Sequence, residues 1–193
     1  MSPLRLPYDR RVEKSIGAGD SAIGVPRIVV LVGMMGAGKS TVGRAISRRT
    51  GWRYVDNDDL VRSLSGRDAT EIRAIDGEDV LHAIEDEAFD ASLALEPPVI
   101  VGAAAAVVLD PTARARLRSG PYTVWLRARP ETLRARVGSG AGRRVEATDT
   151  GWLAARAAER EPLYAEVASL IVDVDDRSPD QVADLILAGL SAG

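Results

Sequence analysis

Cysteine is absent from the 193 residues, so neither a disulfide framework nor a thiolate metal site is available to this chain. Lysine is nearly absent too: Lys14 and Lys39 are the only two among 25 basic residues. Histidine occurs once, at His82. The longest apolar run, Val99 to Leu109, falls short of the roughly 20 residues that a membrane-spanning helix needs. No apolar core follows the charges at the N-terminus, as a secretory signal would require. A net charge of −3, with a pI near 5.3, leaves no electrostatic footprint for nucleic acid or an anionic membrane. The expectation is one cytoplasmic, monomeric domain without nucleic-acid or membrane partners. At 46% hydrophobic and 27% charged residues it has the material for a core.

One of the two lysines stands in the stretch that organises the rest, Ile28 to Thr41, IVVLVGMMGAGKST. Five apolar, mostly β-branched residues run into a glycine-rich loop, and an amphipathic helix carrying Val42, Ala45 and Ile46 follows. The loop fits G-x-x-x-x-G-K-[ST], the strand-to-helix phosphate loop of nucleotide-binding proteins. Gly33, Gly36 and Gly38 open backbone conformations closed to residues with a Cβ, so that successive N–H groups, those of Ala37 and Thr41 included, can surround a polyphosphate. The helix N-terminus adds its partial positive charge. Lys39 is placed to bridge the outer phosphates, and the Ser40 hydroxyl to ligate Mg2+. This pattern predicts an ATP-type nucleotide site.

Residues 1–26 are polar, broken by proline and glycine, and predict an N-terminal extension before a domain spanning 27–193. After Gly51, a short strand from Trp52 to Val55 delivers Asp56, Asn57, Asp58 and Asp59 to its carboxyl end, the side on which open parallel sheets bind ligands. One carboxylate there can hold Mg2+ and another can accept the proton of an attacking hydroxyl, while Asp58 or Asp59 can also cap the helix from Leu60 to Ser65. A helix from Asp68 to Ile75 is followed by a long one with Leu81, Ile84, Ala88 and Leu95 on its apolar side. On that long helix Glu85, Asp86 and Glu87 read as a solvated face.

Val99 to Val101 read as a buried central strand running into Gly102 and Ala103 to Ala106. Helices are expected around Ala113 to Leu117, from Arg129-Pro130-Glu131 to Val137 and from Asp149 onward. Further strands are expected at Tyr122 to Leu126 and Leu170 to Val174. The last helix opens at Pro179, with Leu185, Ile186 and Leu190 marking its buried face. Between Val137 and Asp149 lies a glycine-rich, basic stretch, Gly138 to Arg144, whose composition suits a mobile lid over about residues 138–148. The alternation of β and α predicts an α/β, three-layer P-loop fold: about five parallel strands with helices on both faces.

On these motifs the chain resembles the shikimate kinases, small P-loop enzymes similar to nucleoside monophosphate kinases, over about residues 27 to 191. GMMGAGKST and YVDNDD fall where that family has its P-loop and its D-x-D. Asp76-Gly77-Glu78 with Ile84-Glu85 resembles its GE-x-x-FR-x-x-E stretch, and Arg160 to Tyr164 its R-x-P-L-Y. The resemblance implies that Asp56 organises Mg2+ and that Asp58 binds and deprotonates the acceptor. By the same match Arg160 meets the acceptor's carboxylate, Arg143 is the lid arginine between donor and acceptor, and Arg136 and Arg177 flank the adenine. His82 and Ala104 fall in the acceptor site, where the chain departs from the family. His82 replaces an arginine, Arg73 an aromatic residue, and Ala103-Ala104-Ala105 three glycines.

Three functions fit: a kinase for shikimate or a related hydroxylated acid, a nucleotide-binding homologue without transfer, and a nucleoside monophosphate kinase. The first is favoured because a P-loop lysine, a carboxylate base and a lid arginine serve no purpose together in a pure binding module.

Overall fold

The computed structural model describes residues 27–137 and 149–192. Within them five parallel strands form one sheet in the order β2-β3-β1-β4-β5: β1 (Ile28–Val32), β2 (Arg53–Asp56), β3 (Val99–Gly102), β4 (Tyr122–Arg127) and β5 (Leu170–Asp173). Strand β1 is central, pairing Val29 with Ile100 of β3 and with Tyr122 of β4, and Val29 to Val32 are fully buried. Both faces of this strand are covered, which is why it reads as a continuous β-branched run.

The helices are α1 (Lys39–Thr50), α2 (Asn57–Ser65), α3 (Ala69–Asp76), α4 (Glu78–Leu93), α5 (Pro111–Ser119), α6 (Pro130–Val137), α7 (Thr150–Val167) and α8 (Pro179–Ala192). With this strand order, the right-handed crossover rule puts α1 on one face of the sheet and the helices after β2, β3 and β4 on the other. On the first face α8 packs against α1, and on the second α5 packs against α7. Because β1 connects toward β2 while β3 connects back toward β4, the strand order reverses beside β1, and a crevice opens beyond the carboxyl ends of β1 and β3.

Several boundaries differ from expectation for one local reason. Asp56 is both the last residue of β2 and the N-cap of α2, its Oδ1 accepting from the Asp58 N–H at 3.3 Å. The helix therefore begins at Asn57 rather than Leu60, and the cap is Asp56, not Asp58 or Asp59. Leu95 lies beyond the end of α4, although it still packs on the core. In α8 the buried stripe is Val182, Ile186 and Leu190, each four residues apart, so Leu185 falls one position off it and is 44% exposed.

Candidate active site

The crevice is a cleft of about 520 Å3. Its floor is the phosphate loop. Gly33, Gly36 and Gly38 adopt φ of +141°, +84° and +98°, as the motif demands. Two of these positions are also sterically closed: a Cβ on Gly33 would meet the Leu126 carbonyl at 2.6 Å, and one on Gly36 the Leu133 carbonyl at 2.9 Å. The loop is thus seated on the end of β4 and on α6. Ala37 is buried and spends its N–H on the Met34 carbonyl at 3.1 Å, so it shapes the loop rather than lining the cleft. Gly36, Gly38, Lys39, Ser40 and Thr41 do line it. Lys39 Nζ donates to the carbonyls of Gly33 (2.7 Å) and Met34 (3.2 Å), which holds the ammonium at the loop.

Beside the loop stands a carboxylate with two hydroxyl donors. Ser40 Oγ and Tyr54 Oη each lie 2.8 Å from Asp56 Oδ2. Tyr54 was not singled out from sequence, yet a signal existed: two residues apart on a strand, Tyr54 and Asp56 share a face. The Tyr54 ring fits between two glycines. A Cβ on Gly43 of α1 would overlap the ring, and one on Gly102 of β3 would overlap its hydroxyl. Burial and the adjacent Asp56 both raise the phenol's pKa, so it stays a donor.

Asp58 sits in the first turn of α2, open to the cleft but walled by protein, and this loss of surrounding water raises its pKa, with Asp56 adding to the effect. Opposite are the first turns of α4 and the middle of α7. Glu85 faces the cleft instead of forming part of a solvated surface. Burial first, then Asp58, pushes its carboxyl up to about 7. Sequence spacing carries only part of its placement: Glu78, His82 and Glu85 fall at i, i+4 and i+7, one helical stripe, but the spacing does not say that the stripe faces inward. His82 Nε2 lies 3.2 Å from Glu78 Oε1, and burial followed by Arg160 lowers the histidine's pKa.

Arg73 reaches the cleft from α3, whose start is fixed by a capping box in which the Asp68 carboxylate takes the Thr70 and Glu71 N–H groups and Glu71 takes that of Asp68. Arg160 and Tyr164, one turn apart on α7, both donate to the Ala105 carbonyl, at 3.2 Å and 2.7 Å. That contact fixes the alanine turn after β3, and Ala103 to Ala106 form a wall of the cleft.

Arg136 also lines the cleft, its Nη2 donating to the Val174 carbonyl at 3.0 Å. Arg177 is not brought to the cleft wall; it is exposed and donates to the Asp173 carbonyl. Arg143 and the expected lid, about 138–148, lie outside the described residues, as does the extension 1–26. No described helix is long and apolar enough to cross a membrane.

The oxygen donors suit Mg2+ rather than a softer metal. A hydroxyl and a carboxylate meet at the phosphate loop, and no cluster of three or more metal-binding side chains occurs among the described residues. Mg2+ in such sites is held by one or two protein oxygens together with nucleotide phosphates.

The sequence model of the shikimate kinase family matches residues 35–191. The chain is 35% identical to the shikimate kinase of Moorella thermoacetica over 87% of its own length and 96% of that protein's. To the shikimate kinase of Symbiobacterium thermophilum it is 40% identical, over 82% and 93%. Among solved structures, a shikimate kinase from Acinetobacter baumannii in complex with shikimate superposes with a TM-score of 0.79 at 23% identity, covering 86% of this chain and 93% of that one. A gluconokinase from Sinorhizobium meliloti shares the fold at a TM-score of 0.63.

Proposed function

The chain belongs to the shikimate kinase family of ATP-dependent phosphotransferases, and from that premise we propose that it transfers the γ-phosphate of ATP to a hydroxyl of shikimate. The observation that carries this reading is one cleft holding, in sequence from floor to far wall, a phosphate loop with Lys39, the Ser40–Asp56 pair, Asp58, and a cationic wall of Arg73 and Arg160.

The loop amides and Lys39 bind the nucleotide's phosphates, while Arg136 stands at the nucleotide side. Ser40 and Asp56 would hold Mg2+, which would supply neutralising charge to the nucleotide's phosphates. Asp58 accepts the proton of the acceptor hydroxyl as its oxygen attacks the γ-phosphorus in line; the bond from that phosphorus to the β–γ bridging oxygen breaks, and ADP leaves with the electron pair. A carboxylate whose proton affinity is raised by burial is a stronger base for that step. Arg143 is assigned to the transferring phosphoryl by resemblance alone.

The test is coupled ADP release by the purified protein with Mg-ATP, alone and with millimolar shikimate, quinate, gluconate, inositol or nucleoside monophosphates. Saturable turnover with shikimate is the expected result. A second reading, a different hydroxylated acid as acceptor, is favoured by His82 and by the alanine turn, which bring imidazole and methyl groups to the acceptor wall. Turnover of quinate or gluconate in preference to shikimate would establish it.

A further inference from the structure

Three buried side-chain N–H groups among the described residues have no hydrogen-bond acceptor: Asn57 Nδ2, Arg73 Nε and Arg160 Nε. All three belong to residues that line the one cleft. Buried donors are normally satisfied, and a charged donor left without a partner is the costliest case. Orphans gathered on one wall therefore point to a ligand bearing acceptor oxygens there.

Arg73 and Arg160 arrive from different elements, α3 and α7, and each is tethered without being saturated. Arg73 Nε lies 3.2 Å from Glu78 Oε2, close enough for an ion pair but misaligned for a hydrogen bond. The other Glu78 oxygen faces His82. A single carboxylate thus steadies Arg73 and His82 together. Arg160 is held by one Nη on the Ala105 carbonyl, and its Nε–H has no acceptor. Both guanidiniums act on Glu85, which Asp58 opposes, so the arginines and the candidate base share one field around the acceptor space.

Resting on the function proposed above, we infer that Arg73 acts with Arg160 to clamp the carboxylate of the acceptor, and that His82 is not the cation that does so. A planar guanidinium is permanently charged and matches a carboxylate edge to edge. His82 does neither, since its surroundings favour the neutral imidazole and Glu78 already occupies its Nε2 side. An acceptor with a hydroxyl at Asp58 and a carboxylate at Arg73 and Arg160 is a small hydroxylated acid. Arg73 is then a specificity residue in direct contact with substrate, contributed by α3.

The experiment compares KM and kcat for shikimate and for its methyl ester, in the parent protein and in the Arg73→Gln, Arg73→Lys, His82→Gln and Arg67→Gln variants. Arg67 pairs with Asp76 outside the cleft and serves as the control for loss of an arginine nearby. Loss of a charged hydrogen bond predicts a KM for shikimate raised about 10- to 100-fold in Arg73→Gln, with kcat changed by less than about threefold. Arg73→Lys recovers part of the loss, His82→Gln costs less than Arg73→Gln, and Arg67→Gln leaves KM unchanged. With the ester the Arg73→Gln effect shrinks to within about threefold, because the charge it recognises is gone. The parent's own preference for acid over ester reads the same contact without any substitution.

An unchanged KM in Arg73→Gln, an equal loss with the ester, or a larger loss in His82→Gln overturns this assignment while leaving the function standing. Absence of shikimate turnover in the parent overturns both.

Discussion

Glu85 is an acid whose native pKa, about 7, lies well above its ordinary value of 4.5, chiefly through burial and then through Asp58. The sign of its effect follows from proton counting. Between those two values the folded chain binds the proton that the unfolded chain has lost, so stability falls as pH rises from 4.5 to 7 and stays low above. A shift of that size corresponds to about 3 kcal/mol at full development. Glu85→Gln keeps the shape and removes the charge. The variant should therefore gain on the parent by about 2 to 3 kcal/mol between pH 5 and pH 8.5, with the smallest difference at the acid end. For a domain of this size that is roughly 5 to 10 °C in Tm. Urea titrations at both pH values, with the slope m checked for constancy, provide the assay. A gain that is equal at pH 5 and 8.5, or a variant less stable than the parent at pH 8.5, would refute the claim that Glu85 is a desolvated, disfavoured carboxylate. Turnover should fall in the same variant, since the carboxylate lines the cleft.

The hydroxyl pair on Asp56 predicts that Tyr54→Phe raises the Mg2+ concentration needed for half-maximal nucleotide binding, by about threefold to tenfold for one lost hydrogen bond to a charged group; fluorescence titration of a nucleotide analogue against Mg2+ reads it. Gly102→Ala should do the same and also cost about 1 to 3 kcal/mol of stability by denaturant titration, because its methyl would displace the Tyr54 hydroxyl. Gly36→Ala combines φ of +84° with a Cβ 2.9 Å from the Leu133 carbonyl, so calorimetry should show ATP binding weakened at least about tenfold even where the fold survives.

The phosphate loop and β1 were legible because their signals are local: a glycine pattern tied to a lysine, and an apolar run long enough for a strand. The Asp56 and Asp58 assignments to the cleft were legible for a topological reason, since strand ends in parallel sheets converge. What sequence did not reveal depended on contacts between distant segments. Glu85 lies in an acidic helix stretch whose composition looks solvated, and only the packing of α4 beside α2 and the α7 wall turns that side inward. Arg73 read as a departure from a family pattern, whereas in space it lines the cleft, its Nε without a hydrogen-bond acceptor. The start of α2 was misplaced because one residue, Asp56, ends a strand and caps a helix at once. Leu185 was misplaced by a single step of helical phase.

The central claim is that this cleft transfers phosphate to an acceptor hydroxyl with Asp58 as the base. The most direct measurement follows ADP release with shikimate in the parent and in Asp58→Asn, with ATP binding to both measured by calorimetry. Saturable turnover in the parent, lost in Asp58→Asn by about a hundredfold or more with ATP affinity unchanged, is the predicted result. Full turnover in Asp58→Asn, or tight ATP binding by the parent without turnover of any hydroxylated acid, would contradict it.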